Sequence, residues 1–165
     1  MKKLILFVTA ILLTSLVSLN AQYNIALGLR AGGTSGITLK KITTNYTAVE
    51  GIVGFWNDGL SITGLYEKHP GAPGNFHWIF GAGAHLTFYE DNLRGDSFPA
   101  WYADHPGDIE DGALGFGIDA VGGLEFFFEK IPLAISFELK PFIEFTTSEN
   151  IWLSLDPGFG IKLAF

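Results

Sequence analysis

The chain of 165 residues contains no cysteine. Disulfides, thiolate metal sites and anchoring through a lipidated N-terminal Cys are thereby excluded. Basic residues are scarce as well, 10 Lys and Arg against 17 Asp and Glu. Nucleic acid is therefore not an expected partner, because phosphate binding depends on Lys and Arg. Beyond Leu19 no apolar run approaches the roughly 20 residues that a membrane-spanning helix needs. No Ser- or Pro-rich linker divides the chain, and no glycine-rich phosphate-binding pattern lies between a strand and a helix, so a second domain and nucleotide binding both lack support.

What is present begins with Met1-Lys2-Lys3, an apolar stretch from Leu4 to Leu19, and Ala21 before Gln22. That order fits a cleavable secretory signal over residues 1–21. Leu19 stands where a smaller residue is commoner, so the cut can fall a residue or two away from Gln22. The exported remainder, residues 22–165, is expected to form one domain. Removing Lys2 and Lys3 leaves it 8 basic against 17 acidic residues, and it carries all 21 glycines. A chain this apolar without a spanning helix is either a soluble β-protein with a large core or a membrane barrel.

Alternation with period two recurs in eight segments, which predicts strands. They cover residues 23–31, 36–42, 46–56, 60–68, 76–89, 113–128, a stretch from Leu133 to Phe145, and a last one beginning near Leu153. Asn57-Asp58-Gly59 between the third and fourth is a strong hairpin signal. The fifth sets Phe76, Trp78, Phe80, Leu86 and Phe88 against His77, Ile79, Gly81, Gly83, His85 and Thr87. In the seventh, Leu133, Ile135, Phe137, Leu139, Ile143 and Phe145 face away from Ser136, Glu138, Lys140 and Glu144. A tilted membrane strand needs about 9–11 residues, which most of these segments supply.

Alternation does not itself say which face is outside, since a soluble ligand-binding barrel with an apolar interior has the same period. The chemistry of the polar face decides. A water-facing surface is rich in Lys, Glu and Thr, whereas this face is mostly Gly, Ala and Ser with isolated charges, as a narrow lumen requires. Aromatics on the apolar face gather toward strand ends: Tyr23, Tyr66, Phe76, Trp78, Phe126 and Phe165 at one end, Phe55, Phe88 and Phe145 at the other. They read as two interfacial girdles. The expected fold is an all-β, eight-stranded antiparallel up-and-down transmembrane barrel. An even strand number puts both termini on one side, the periplasmic side for such barrels. The long connection, residues 90–112, then falls on the outer side, with residues 32–35, 57–59 and 146–152. Residues 43–45, 69–75 and 129–131 connect strands on the inner side.

With these features the chain resembles the small eight-stranded outer-membrane barrels of Gram-negative bacteria, the class of OmpX and the transmembrane domain of OmpA. The resemblance spans residues 22–165 as an architecture, not as a match of functional motifs. It implies a place in the outer membrane of the cell envelope, with outer-membrane lipid around the barrel. The class includes structural and adhesion-related proteins and a minority of lipid-modifying enzymes. Phe159, Ile161, Leu163 and the terminal Phe165 look like the signal read by the barrel-assembly machinery, which the resemblance implies as a partner.

On the lumen face, Arg30, Lys40, Lys140 and Lys162 stand against Glu50, Glu67, Asp119, Glu125, Glu138, Glu144 and Asp156. A tight turn at Lys130-Ile131 makes the numbers of opposed residues on strands six and seven sum to 261. Glu138 then lies opposite Gly123, and Lys140 lies diagonal to Asp119. Lys162 is expected to reach Glu138, and Arg30 to reach Asp156 or Glu144. An eight-stranded barrel is only wide enough for side chains to fill, and isolated charges there are very unfavourable, so an ion-paired plug is expected.

Acidic residues crowd the long connection: Glu90, Asp91, Asp96, Asp104, Asp108, Glu110 and Asp111, opposed only by Arg94. Divalent cations or a basic surface partner fit it, as does a solvated acidic loop. Asp108-Ile-Glu110-Asp111-Gly112 lacks EF-hand spacing. Phe98, Trp101 and Tyr102 there suit either recognition or rest on the membrane interface. A lipid hydrolase would need a His, a Ser and a carboxylate clustered within reach of lipid. His85 faces the lumen, and nothing in the spacing requires His105, Asp104 and Ser97 to converge. The reading is a monomeric, non-enzymatic outer-membrane barrel without cofactor or resident metal, in an envelope-structural or surface-interaction role. A lipid-modifying enzyme and a minor pore or small-molecule binder are the alternatives.

Overall fold

The computed structural model describes residues 24–44, 46–56, 59–90, 112–149 and 151–165. Residues 1–21, which the sequence reads as a secretory signal, and all of the acidic connection between Glu90 and Gly112 lie outside them. Eight strands follow one another: β1 (Ile25–Gly32), β2 (Ser35–Thr44), β3 (Thr47–Trp56), β4 (Gly59–Lys68), β5 (Phe76–Tyr89), β6 (Leu114–Phe127), β7 (Leu133–Thr146) and β8 (Ile151–Ala164). Each pairs antiparallel with the next, and β1 pairs with β8, so the sheet closes into a barrel. Ile25 and Phe165 exchange two backbone hydrogen bonds at the seam, of 3.2 and 2.8 Å. Closure leaves no free edge, the condition a sheet must meet inside a bilayer.

The eight segments read from alternation correspond to these strands with small shifts at their ends. β1 starts at Ile25 rather than Tyr23, β2 runs on to Thr44, and β8 begins at Ile151, two residues before Leu153. Opposed residues of β6 and β7 do sum to 261, with Gly123 facing Glu138 and Glu125 facing Ser136. This ladder has no backbone pairing between Ala120–Val121 and Lys140–Pro141. Pro141 brings no N–H to the sheet, which accounts for the gap.

The two faces are inverted relative to a soluble protein. Leu29, Ile118 and Phe137 are 68%, 59% and 55% exposed on the outside, whereas Lys40, Glu50, Glu67, Asp119, Asp156 and Lys162 are buried at 2% or less. The lumen glycines give these charged side chains room to lie flat against the wall. A Cβ on Gly117 would collide with the His85 ring, and one on Gly158 with the Arg30 guanidinium. Another on Gly115 would stand 2.6 Å from Glu144 Oε1. On the β3–β6 wall an apolar cluster of Ile52, Leu65, Ile79 and Val121 is buried as well. Three of its members lie two residues along their strands from Glu50, Glu67 and Asp119.

Candidate functional site

The interior charges fall into two sets. Toward the mouth at which β1 begins and β8 ends, Lys40 Nζ lies 3.0 Å from Glu50, 2.9 Å from Glu67 and 3.3 Å from Glu125. Lys162 Nζ stands 2.9 Å from Glu50, 3.2 Å from Glu138 and 3.5 Å from Glu125. Thr38 donates a 2.6 Å hydrogen bond to Glu50. His69, just past β4, places Nε2 2.9 Å from Glu67 Oε2 and Nδ1 3.6 Å from Glu125 Oε2.

Toward the other mouth, Lys140 Nζ lies 3.1 Å from Asp119 and 3.3 Å from Asp156. Arg30 pairs with Asp156 at 3.1 Å, and Thr34 donates to the same carboxylate through its backbone N–H and its hydroxyl. His85 sits between two acids, with Nδ1 2.9 Å from Asp119 and Nε2 2.8 Å from Glu144. Glu144 also accepts from the Thr87 hydroxyl, the Tyr89 hydroxyl and the Trp152 indole. The His85 ring meets Phe142 edge-on, at a centroid distance of 5.2 Å. Among the described residues no ion pair joins the two sets.

All eleven charged residues assigned to the lumen by parity are thus placed inside. Arg30 goes to Asp156 rather than Glu144. Lys140 has Asp119 and Asp156 as partners, because Glu138 is drawn to Lys162 in the other set. His69 was not among the sequence candidates, since it lies in the connection after β4. Its signal was parity: Leu65, Glu67 and His69 continue one inward-facing series. Two lumen partners lie outside the sequence candidates: Trp152, because residues 146–152 read as a connection whereas β8 begins at Ile151, and Tyr89, which extends the inward series of His85 and Thr87 at the very end of β5.

Phe159, Ile161 and Phe165 project outward from the end of the chain, with Leu163 half-buried. Glu90 is exposed at the edge of the described residues. Asp91, Asp96, Asp104, Asp108, Glu110 and Asp111 lie beyond it, as do Ser97 and His105. Among the described residues, no three His, Asp or Glu side chains are gathered as a ready-made metal centre.

No protein-family model matches the chain, and no curated protein matches it. Among solved structures it is similar to the N-terminal β-barrel domain of Pseudomonas aeruginosa OprF, with a TM-score of 0.57. The match has 16% sequence identity and covers 86% of this chain and 95% of that one. At that identity the likeness concerns the fold: a closed, eight-stranded antiparallel barrel.

Proposed function

We propose that the chain is an integral outer-membrane barrel with a non-enzymatic role in envelope structure or surface interaction, its lumen closed by the two ion-paired sets. One observation carries this reading: the apolar side chains ring the outside while lysines and carboxylates are buried inside. Soluble monomers expose apolar patches of a few hundred Å² at most. Here every strand contributes exposed apolar side chains, among them Leu39, Val53, Ile62, Phe80, Phe116, Leu139 and Leu153. A bilayer is the solvent that suits such a surface.

The barrel likeness to OprF supports the same placement. In an eight-stranded barrel of this type both termini face the periplasm, and the mouth at which β5 ends and β6 begins faces the cell surface. The outward apolar residues of β8 suit recognition by the barrel-assembly machinery. His85 is not available as a free base, because both of its ring nitrogens are engaged by carboxylates. Cell fractionation tests the reading. The mature protein is expected in outer membranes, migrating differently on gels before and after boiling, and recovery as a soluble periplasmic protein would overturn it.

A further inference from the structure

We propose that the mouth at which the termini lie binds one partly hydrated divalent cation of the zinc class, held by His69 Nδ1 and Glu125 Oε2. A cavity of about 80 Å³ opens there, lined in part by Lys40, His69, His77, Glu125 and Phe127. Glu125 is 1% exposed, and its two oxygens have different fates. Oε1 is taken by Lys40 and Lys162, whereas Oε2 has no hydrogen-bond partner. His77 Nδ1 is also buried without a hydrogen bond, on a ring held edge-on against Phe127 at 5.3 Å.

The tautomer of His69 gives this geometry its meaning. Nε2 lies 2.9 Å from the Glu67 carboxylate, which accepts its N–H. In the neutral ring Nδ1 then carries a lone pair. With the ring neutral, Nδ1 and Glu125 Oε2 are two acceptors 3.6 Å apart, with no hydrogen to share between them. Zinc bonds to nitrogen and oxygen are about 2.0–2.2 Å long, so neighbouring ligands of a tetrahedral ion stand about 3.3–3.5 Å apart. The observed spacing is within a few tenths of an ångström of that range. A carboxylate on the far nitrogen of a ligating His is the usual outer support of a zinc site, a position Glu67 occupies.

Charge points the same way. In this set two ammonium groups, of Lys40 and Lys162, face the four carboxylates of Glu50, Glu67, Glu125 and Glu138. With His69 neutral the buried set carries an excess of two negative charges, and uncompensated buried charge is costly. A divalent ion cancels it. Each water takes about 30 Å³, so the cavity has room for the ion and one or two waters, with His77 among its lining residues. An imidazole with a carboxylate favours Zn2+, Ni2+ or Cu2+ over Mg2+ or Ca2+.

The experiment is calorimetric titration of the folded, detergent-solubilised protein with Zn2+ in excess Mg2+, with folding of every variant checked by its gel migration. One Zn2+ per barrel is expected, weakened at least about 10-fold by His69→Gln and by Glu125→Gln, and about 10-fold by Glu67→Gln. If Glu125→Gln does not fold, His69→Gln decides. Absence of saturable Zn2+ binding would overturn the site. So would binding that both variants retain, which would move it to the acidic segment with His105. Nitrogen NMR supplies an independent reading: a His69 ring doubly protonated at pH 7.5 and unmoved by Zn2+ would show imidazolium bridging the two carboxylates, and would also overturn the proposal.

Discussion

Lys140 Nζ lies 3.1 Å from Asp119 Oδ1 across the β6–β7 hairpin, diagonally in a register where Asp119 itself faces Phe142. Both side chains are buried, and Asp156 completes the trio at 3.3 Å. Removing one partner of such a pair leaves the other charged and desolvated, at a cost of about 3–5 kcal/mol. Lys140→Ala is therefore expected to destabilise the folded barrel by that order in urea-driven unfolding. Asp119→Asn in the same chain should recover part of the loss, and a purely additive double mutant would show that the two do not interact.

Glycine at 117 is the space in which His85 lies. Gly117→Val places a branched side chain where the imidazole sits and should displace it from Asp119 and Glu144. Overpacking of this kind costs about 1–3 kcal/mol before the lost hydrogen bonds are counted. Gly122→Ala is the control, because a Cβ there meets nothing within 4 Å; it should change stability by no more than about 0.5 kcal/mol. Equal effects of the two substitutions in thermal unfolding would argue against the crowding account.

These interior contacts show how far the sequence reaches. Period two fixes which residues of β7 face inward, and a connection centred on Lys130-Ile131 fixes the register with β6, so the diagonal from Lys140 to Asp119 follows from local rules. Contacts across the lumen do not follow from them. Lys162 and Glu50 are 112 residues apart in sequence, and their meeting depends on barrel width and strand stagger, which no hairpin encodes. The apolar cluster escaped for another reason. On β3, inward Ile52 alternates with outward Val53 and Gly51, and both faces read as apolar.

The absence of native cysteine makes the facing of β7 directly measurable. Single cysteines at position 139, which is 40% exposed, and at position 136, which is 1% exposed, should differ in labelling by a lipid-soluble maleimide. Position 139 is expected to react and 136 to be protected. Leu139→Arg should cost about 2–4 kcal/mol if it lies near the bilayer midplane, while Ser136→Arg should fail through crowding in the lumen. Labelling at 136 with protection at 139 would reverse the inside and outside of the barrel.

The lumen is expected to conduct poorly, for reasons of both width and charge. Eight strands enclose a space that side chains fill, and here it holds four basic and seven acidic residues, none more than 4% exposed. Lys162 joins one set through Glu50, Glu125 and Glu138. Lys162→Ala therefore removes a hub without removing the bulk of the surrounding wall, where Ile52, Leu65, Ile79 and Val121 add an apolar layer. It should destabilise the barrel through three undercompensated carboxylates and leave it closed to steady ion flow. In planar bilayers the unmodified protein should give no stable, ion-selective conductance. Steady openings would mean that a continuous water path runs past both charged sets, and the pore reading would replace the closed one.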